Sequence, residues 1–274
     1  MRKPPRLLLV GALAGCALLA PANALAQSGG PVQPKIVGGS TTSVSTYPWQ
    51  AAVVISPDKA SGNAHNRQFC GGSLLLSRIV ITAGHCVANT DPDCTSLCTS
   101  ETPVCLNLPS ATEDGTCELD PNDVDVVLGR STLSGGSAAD EHPVSGVVLR
   151  SNFDGNYRGD GVPRYDVAYL VLSSASGQTP IKIAGTDEDA LWDPGSTAEI
   201  SGWGSTSESG GTVDTLRSAT VGLISDSTCG SPAIYGSDFD PATMQGAGSL
   251  GGTTDSCFGD SGGSRRPCRA AGTG

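Results

Sequence analysis

The stretch "GGSLLLSRIVITAG" (residues 71–84) decides the fold. It runs to strand length in Leu, Ile and Val, it is bounded by glycine, and no helical periodicity persists in it beyond a turn or two. Working outward, "WQAAVVIS" (49–56), "DVDVVLG" (123–129), "VSGVVLR" (144–150), "DVAYLVL" (166–172) and "AEISGWG" (198–204) have the same character, short apolar runs closed off by Gly, Pro, Asn, Asp and Ser. Glycine is abundant, at 37 residues, and charged residues make up only 16% of the chain. That balance favours many short strands joined by tight turns over long charged helices, so the reading is an all-β chain of barrel or sandwich type. Residues 89–122 differ. Cys94, Cys98, Cys105 and Cys117 lie there almost without an apolar run, and the segment reads as an inserted loop.

A chain of 274 residues holds one large domain or two small ones. Its formal charge of −11 argues against a nucleic-acid backbone as partner. At the N-terminus Arg2, Lys3 and Arg6 precede the apolar run 7–20, and Ala24, Leu25 and Ala26 supply small residues before Gln27, so residues 1–26 read as a secretory signal. A rival reading takes "LAGC" (13–16) as a lipoprotein cleavage site that would leave the chain lipid-anchored through Cys16. Residues 27–35, "QSGGPVQPK", are a polar and flexible leader. No later apolar run is long enough to span a bilayer. Export implies an oxidising compartment, so cysteines are read as disulfides first. The ten cysteines include Cys16 in the signal segment, which leaves nine, an odd number, to pair.

The chemistry-bearing residues come next. Ser261 sits in "GDSGG" (259–263), where glycine neighbours let the backbone approach a substrate and donate N–H groups to an oxyanion; an ordinary hairpin turn would look the same. A serine hydroxyl needs a base. Of three histidines, His65 lies in a polar loop and His142 precedes a proline, and a solvated surface role suits both. His85 instead ends a strand in "TAGHC" (82–86), where a disulfide at Cys86 would hold its backbone still; a structural histidine is the alternative. Asp166 opens an otherwise apolar strand, a costly place for a charge without a partner, although a turn acid is the plainer account.

Together "IVGG" (36–39), "TAGHC" (82–86), "DVAYL" (166–170), "SGWG" (201–204) and "DSCFGDSGG" (255–263) resemble, in order and spacing, the trypsin-like serine proteases of the chymotrypsin family, over residues 36 to 263. The resemblance implies two antiparallel β-barrels: a first over 36–185 with the Cys-rich insert (89–122) and the interdomain link, and a second over 186–274 that is incomplete after Gly263. It implies Ser261 as nucleophile, His85 as general base and then acid, Asp166 as the group that orients His85, and the N–H groups of Gly259 and Ser261 as oxyanion hole. Asp255 resembles the pocket acid that favours Arg or Lys before the scissile bond. Lys35 and Ile36 resemble a zymogen junction, with 27–35 as activation propeptide and Asp260 as the acceptor for the new amino group of Ile36. Cys70 and Cys86 resemble a family disulfide pair. No cofactor and no metal are implied; protein or peptide substrates are, and protein inhibitors of proteases are candidate partners.

Departures carry expectations of their own. Where the family has a cysteine, "MQGAG" (244–248) has Gly246, so Cys229 is expected to be orphaned, and Cys257 also lacks its family partner. Arg130 stands where calcium-binding relatives carry a carboxylate, so no calcium is expected in that loop. The four insert cysteines are expected to form two local bridges, with the pairing open. The tail "SRRPCRAAGTG" (264–274) looks like an out-of-frame continuation with an accidental Cys268. A frameshifted or truncated protease without measurable hydrolysis is the expectation, and a truncated pseudoprotease or binding module is the alternative.

Overall fold

The computed structural model describes residues 39–89, 97–98, 105–106, 117–153, 164–206, 210–250, 254, 256 and 259–263. The fold is mostly β. Its strands are β1 (Ser40–Thr41), β2 (Gln50–Ile55), β3 (Gln68–Leu76), β4 (Ile79–Thr82), β5 (Ala88–Asn89), β6 (Leu97–Cys98), β7 (Cys105–Leu106), β8 (Cys117–Glu118), β9 (Val124–Leu128), β10 (Glu141–Leu149), β11 (Ala168–Leu172), β12 (Thr197–Gly202), β13 (Arg217–Ile224) and β14 (Gly246–Gly248). Two one-turn helices, α1 (Ala64–Arg67) and α2 (Asp226–Cys229), are capped by the side chains of Asn63 and Ser225. Among the described residues no helix is long and apolar enough to cross a membrane.

Six strands close an antiparallel barrel in the order β10-β11-β4-β3-β2-β9. The deciding stretch, 71–84, therefore splits into β3 and β4 around Ser77 and Arg78, and Arg78 closes the corner by donating to the carbonyls of Leu172 and Ser173. Inward-facing Val53, Ile55, Leu74, Val80, Val126, Leu128, Leu170 and Leu172 fill the barrel. Each such side chain contributes about 1.5–3 kcal/mol through burial. Strand β2 is buried at all six positions, because its other face, Ala52 and Val54, packs with Val127 under Trp203 and Leu216. A strand covered on both faces has no reason to alternate, which is why "WQAAVVIS" reads as a continuous apolar run.

A second sheet sets β13 between β1 and β12, with β14 also on β13. Strand β1 falls within the stretch 36–185 expected to build the first barrel, yet it pairs with β13 at Ser40–Ser218 and Thr41–Arg217. The inserted loop holds two short ladders, β5–β8 and β6–β7, the latter with Cys98 opposite Cys105.

A buried ionic cluster holds the turn between β9 and β10. Arg130 donates to the carbonyls of Leu133 and Ser137 and pairs with Asp140 and Glu141, at 3.3 and 3.2 Å. Glu141 also takes Arg67 at 2.7 Å. Removing Arg130 leaves Glu141 with Arg67 alone and takes the donor from the Leu133 and Ser137 carbonyls, so Arg130→Met is expected to cost about 1–3 kcal/mol of stability, read from urea unfolding; an unchanged midpoint would show the cluster to be incidental. Nearby, burial and then Glu141 hold the Asp125 carboxyl above its ordinary 3.8, against the pull of Arg67. The folded chain therefore holds that proton more tightly than the unfolded one, and stability is lost as pH rises from 3.8 through the folded value. Asp125→Asn is expected to stabilise the protein at pH 7 and to lose that advantage below about pH 4, as unfolding at the two pH values would reveal.

Candidate functional site

The register of β4 against β11 builds the first half of the site. Thr82 pairs with Ala168, so the residues just beyond these strand ends, His85 and Asp166, arrive at the same place. His85 lies in a single 3-10 turn, Gly84–Cys86, tied to β3 by the disulfide between Cys70 and Cys86. Asp166 grips it twice: Oδ2 is 2.8 Å from His85 Nδ1, and Oδ1 accepts the backbone N–H of His85 at 2.8 Å. Holding a proton on Nδ1 leaves Nε2 as the basic atom. The approach requires glycine at position 84, since a Cβ there would lie 2.8 Å from the Phe153 ring and 3.3 Å from Asp166 Oδ1.

Tyr165 turns the chain so that Asp166 can reach. Its φ of 52° is the one left-handed value at a non-glycine residue among the described positions, its carbonyl accepts from Val167 N at 2.7 Å, and Arg150 stacks 4.7 Å above its ring. A left-handed tyrosine costs about 1–3 kcal/mol, which the surrounding structure must offset. No pattern in the sequence announces this role for Tyr165.

The second half is the turn 259–263. Gly259 and Gly262 both have φ of 86°, and a Cβ at Gly262 would lie 2.6 Å from the Gly71 carbonyl and 2.7 Å from Ala83 N. The turn docks on β3 through the N–H of Gly71, which donates to the Ser261 carbonyl at 2.7 Å, while Thr82 Oγ1 donates to the Gly71 carbonyl at 2.8 Å. Asp260 is 2% exposed. Its carboxylate accepts from Gly204 N at 2.8 Å and fills the space that a Cβ at Gly202 or Gly204 would take.

His85, Asp166, Gly259, Asp260 and Ser261 therefore lie on elements that meet around the start of β3 and the end of β4. Lys35, Ile36, Asp255, Cys94, Cys257 and Cys268 lie outside the described residues, as do residues 1–26 and the tail from 264, and the side chains of Cys98, Cys105 and Cys117 are likewise outside them. Three expectations need correction. Cys229 is not orphaned: it is fully buried against Ile224, Tyr235 and Phe239 and is disulfide-bonded. The loss at Gly246 argued against one partner only, and a buried sulfur in β-rich surroundings found another. His65 is not simply solvated, because its Nε2 donates to the Thr212 carbonyl at 3.1 Å. His142 is half-buried in β10, and burial pushes its imidazole below the ordinary 6.5 despite Asp140 nearby.

Comparison with known proteins agrees with this arrangement. The family model described as Trypsin matches residues 36–104 and 115–265. The chain belongs to the trypsin family. It is a serine-type endopeptidase with the chymotrypsin-like fold, acting on protein substrates. The unmatched residues, 105–114, fall inside the cysteine-rich segment. A trypsin of Saccharopolyspora erythraea is 32% identical over 228 residues, covering 83% of this chain and 80% of that protein. Trypsin-1 of Astacus astacus is 29% identical over 244 residues, covering 87% and 84%. The hepatocyte growth factor activator serine protease of Homo sapiens is 27% identical over 245 residues, 85% of this chain and 30% of that longer protein. In this trypsin-family protease the strand ends that carry His85 and Asp166 belong to the closed barrel, whereas Asp260 leans on Gly204, just beyond β12 of the second sheet.

Proposed function

We propose that this chain is a secreted zymogen whose mature form cleaves peptide bonds after Arg or Lys by means of Ser261, His85 and Asp166. The double grip of Asp166 on His85 carries the reading, because it fixes both the position and the tautomer of the base. In the proposed cycle Ser261 Oγ attacks the scissile carbonyl and passes its proton to His85 Nε2, while Asp166 stabilises the imidazolium. The N–H groups of Gly259 and Ser261 receive the oxyanion. His85 then protonates the leaving amine, and water releases the acyl group by the reverse proton path.

Asp255 is proposed as the acid that selects Arg or Lys, since a desolvated carboxylate favours an opposite charge. The cut after Lys35 would then suit the enzyme's own preference, and the family match beginning at Ile36 agrees with a mature start there. Residues 1–26 serve as the secretory signal in this scheme. Full-length enzyme, with a family-like segment following Gly263 and cut after Lys35, is expected to take up a fluorophosphonate at Ser261 and to hydrolyse Arg and Lys esters, both lost on Ser261→Ala. Labelling elsewhere, or a preference for Phe or Leu esters that survives Asp255→Ser, would overturn the proposal.

A further inference from the structure

Gln68, the first residue of β3, is 1% exposed, a rare setting for a carboxamide. Its Nε2 donates to the Gly259 carbonyl at 2.7 Å and to the Cys70 carbonyl at 3.2 Å. Its Oε1 is buried with no hydrogen-bond partner. A side chain buried at that cost needs a reason, and its strong contact is to the nucleophile turn. The bulge that makes Val53 face Cys70 but Val54 face Gln68 skips Phe69 in the pairing, a device that re-aims side chains near active sites.

We propose that Gln68 is a positioning residue for the oxyanion hole: its carboxamide N–H, by holding the Gly259 carbonyl, fixes the 259–260 peptide plane and so the stretch of backbone from which the Gly259 and Ser261 N–H groups project. The inference rests on the serine-protease reading above. Glycine is the most permissive residue in the chain, and Gly259 sits at φ 86° with Thr212 and Gly204 standing where a Cβ would go. Nothing in its own side chain can hold that conformation, so the hold has to come from outside. Strand β3 supplies it twice, Gln68 on the carbonyl of Gly259 and Gly71 on the carbonyl of Ser261. These are the two residues whose N–H groups are the proposed oxyanion donors. Between the anchors, Cys70 ties the same strand to the His85 turn through its disulfide. One short segment, 68–71, thus sets donors, nucleophile and base relative to one another. Because a carboxamide does not titrate, this hold is independent of pH.

Two variants of the full-length enzyme, cut after Lys35, test the inference. Gln68→Met fills the space without a donor, and kcat is expected to fall about 10- to 100-fold with KM within about twofold, somewhat less than the loss of an oxyanion donor itself. Gln68→Glu can donate to the Gly259 carbonyl only while protonated. Its kcat/KM relative to wild type is therefore expected to fall at least about tenfold from pH 5.5 to 8.5, while general-base catalysis makes wild-type activity climb with pH. A merely structural Gln68 would lower the Tm of both variants and leave the ratio of Gln68→Glu to wild type flat across that range. A flat ratio, or a Gln68→Met kcat within twofold of wild type, overturns the inference and leaves the parent reading intact. Wild type no more active than Ser261→Ala sinks the parent reading, and the inference with it.

Discussion

Asp166→Asn is expected to lower kcat by about 10⁴-fold while leaving substrate binding and the fold nearly intact, a size carried over from the general behaviour of such triads. The direction follows from the two hydrogen bonds at Asp166. One carboxylate oxygen accepts the backbone N–H of His85 and the other faces Nδ1, each at 2.8 Å. An asparagine has a single acceptor oxygen, and the backbone N–H demands it, since that donor cannot be turned into an acceptor. The amide nitrogen is then left facing Nδ1, which must become an acceptor in turn, and the ring proton moves to Nε2. The atom that should take the proton of Ser261 already carries one. Uptake of a fluorophosphonate by Ser261 should slow in parallel with ester hydrolysis, while urea unfolding stays near wild type. Activity within tenfold of wild type would show that His85 is oriented by something other than Asp166.

Why these partners could be read from the sequence, and others could not, has a physical basis. His85 and Asp166 follow or precede strands whose apolar runs are unmistakable, and antiparallel pairing of β4 with β11 brings those ends together. The runs around β2, β9, β10, β11 and β12 were visible for the same reason, that a covered strand face must be apolar. Strand β13 was not, because "RSATVGLI" is exposed or half-exposed at Arg217, Ser218, Thr220 and Gly222, so that Ser, Thr and Gly interrupt its apolar residues. Strand β14, "GAG", holds its place by backbone pairing with 222–224 and so left no side-chain pattern to read. Gln68 and Tyr165 were missed because their roles lie in a third dimension: a buried donor aimed at a residue 191 positions away, and a left-handed backbone at a residue type that seldom adopts one. Cys229 shows the limit of reading pairs by resemblance. Knowing that one partner was gone said nothing of which cysteine would replace it.

The second large effect concerns activation. Asp260→Asn is expected to leave cleavage after Lys35 intact but to remove at least about 10³-fold of the activity that cleavage releases, since charged hydrogen bonds are roughly twice as strong as neutral ones and a catalytic turn tolerates little displacement. The argument starts from burial. Asp260 is 2% exposed, and its carboxylate lies against Gly202 and Gly204 with Gly204 N donating at 2.8 Å. A carboxylate gives up much of its hydration on burial, and an ammonium is among the partners that offset that loss best. In the proposed scheme that cation is the amino group of Ile36, which does not exist until the bond after Lys35 is cut. Asp260 sits between Gly259 and Ser261, the proposed oxyanion-hole residues, and its carbonyl accepts from Gly263 N at 2.9 Å. Whatever fixes its side chain therefore fixes the turn. An asparagine keeps the shape and the acceptor for Gly204 N but offers no charge to an ammonium, which separates loss of the ion pair from loss of packing. The measurement is a time course in which N-terminal sequencing follows the appearance of Ile36 and an Arg ester follows activity. Wild type should show both rising together, and the variant only the first. Full activity in cut Asp260→Asn would mean that the turn is ordered without the ion pair, and the glycine cradle at 202 and 204 would then have to be explained by packing alone.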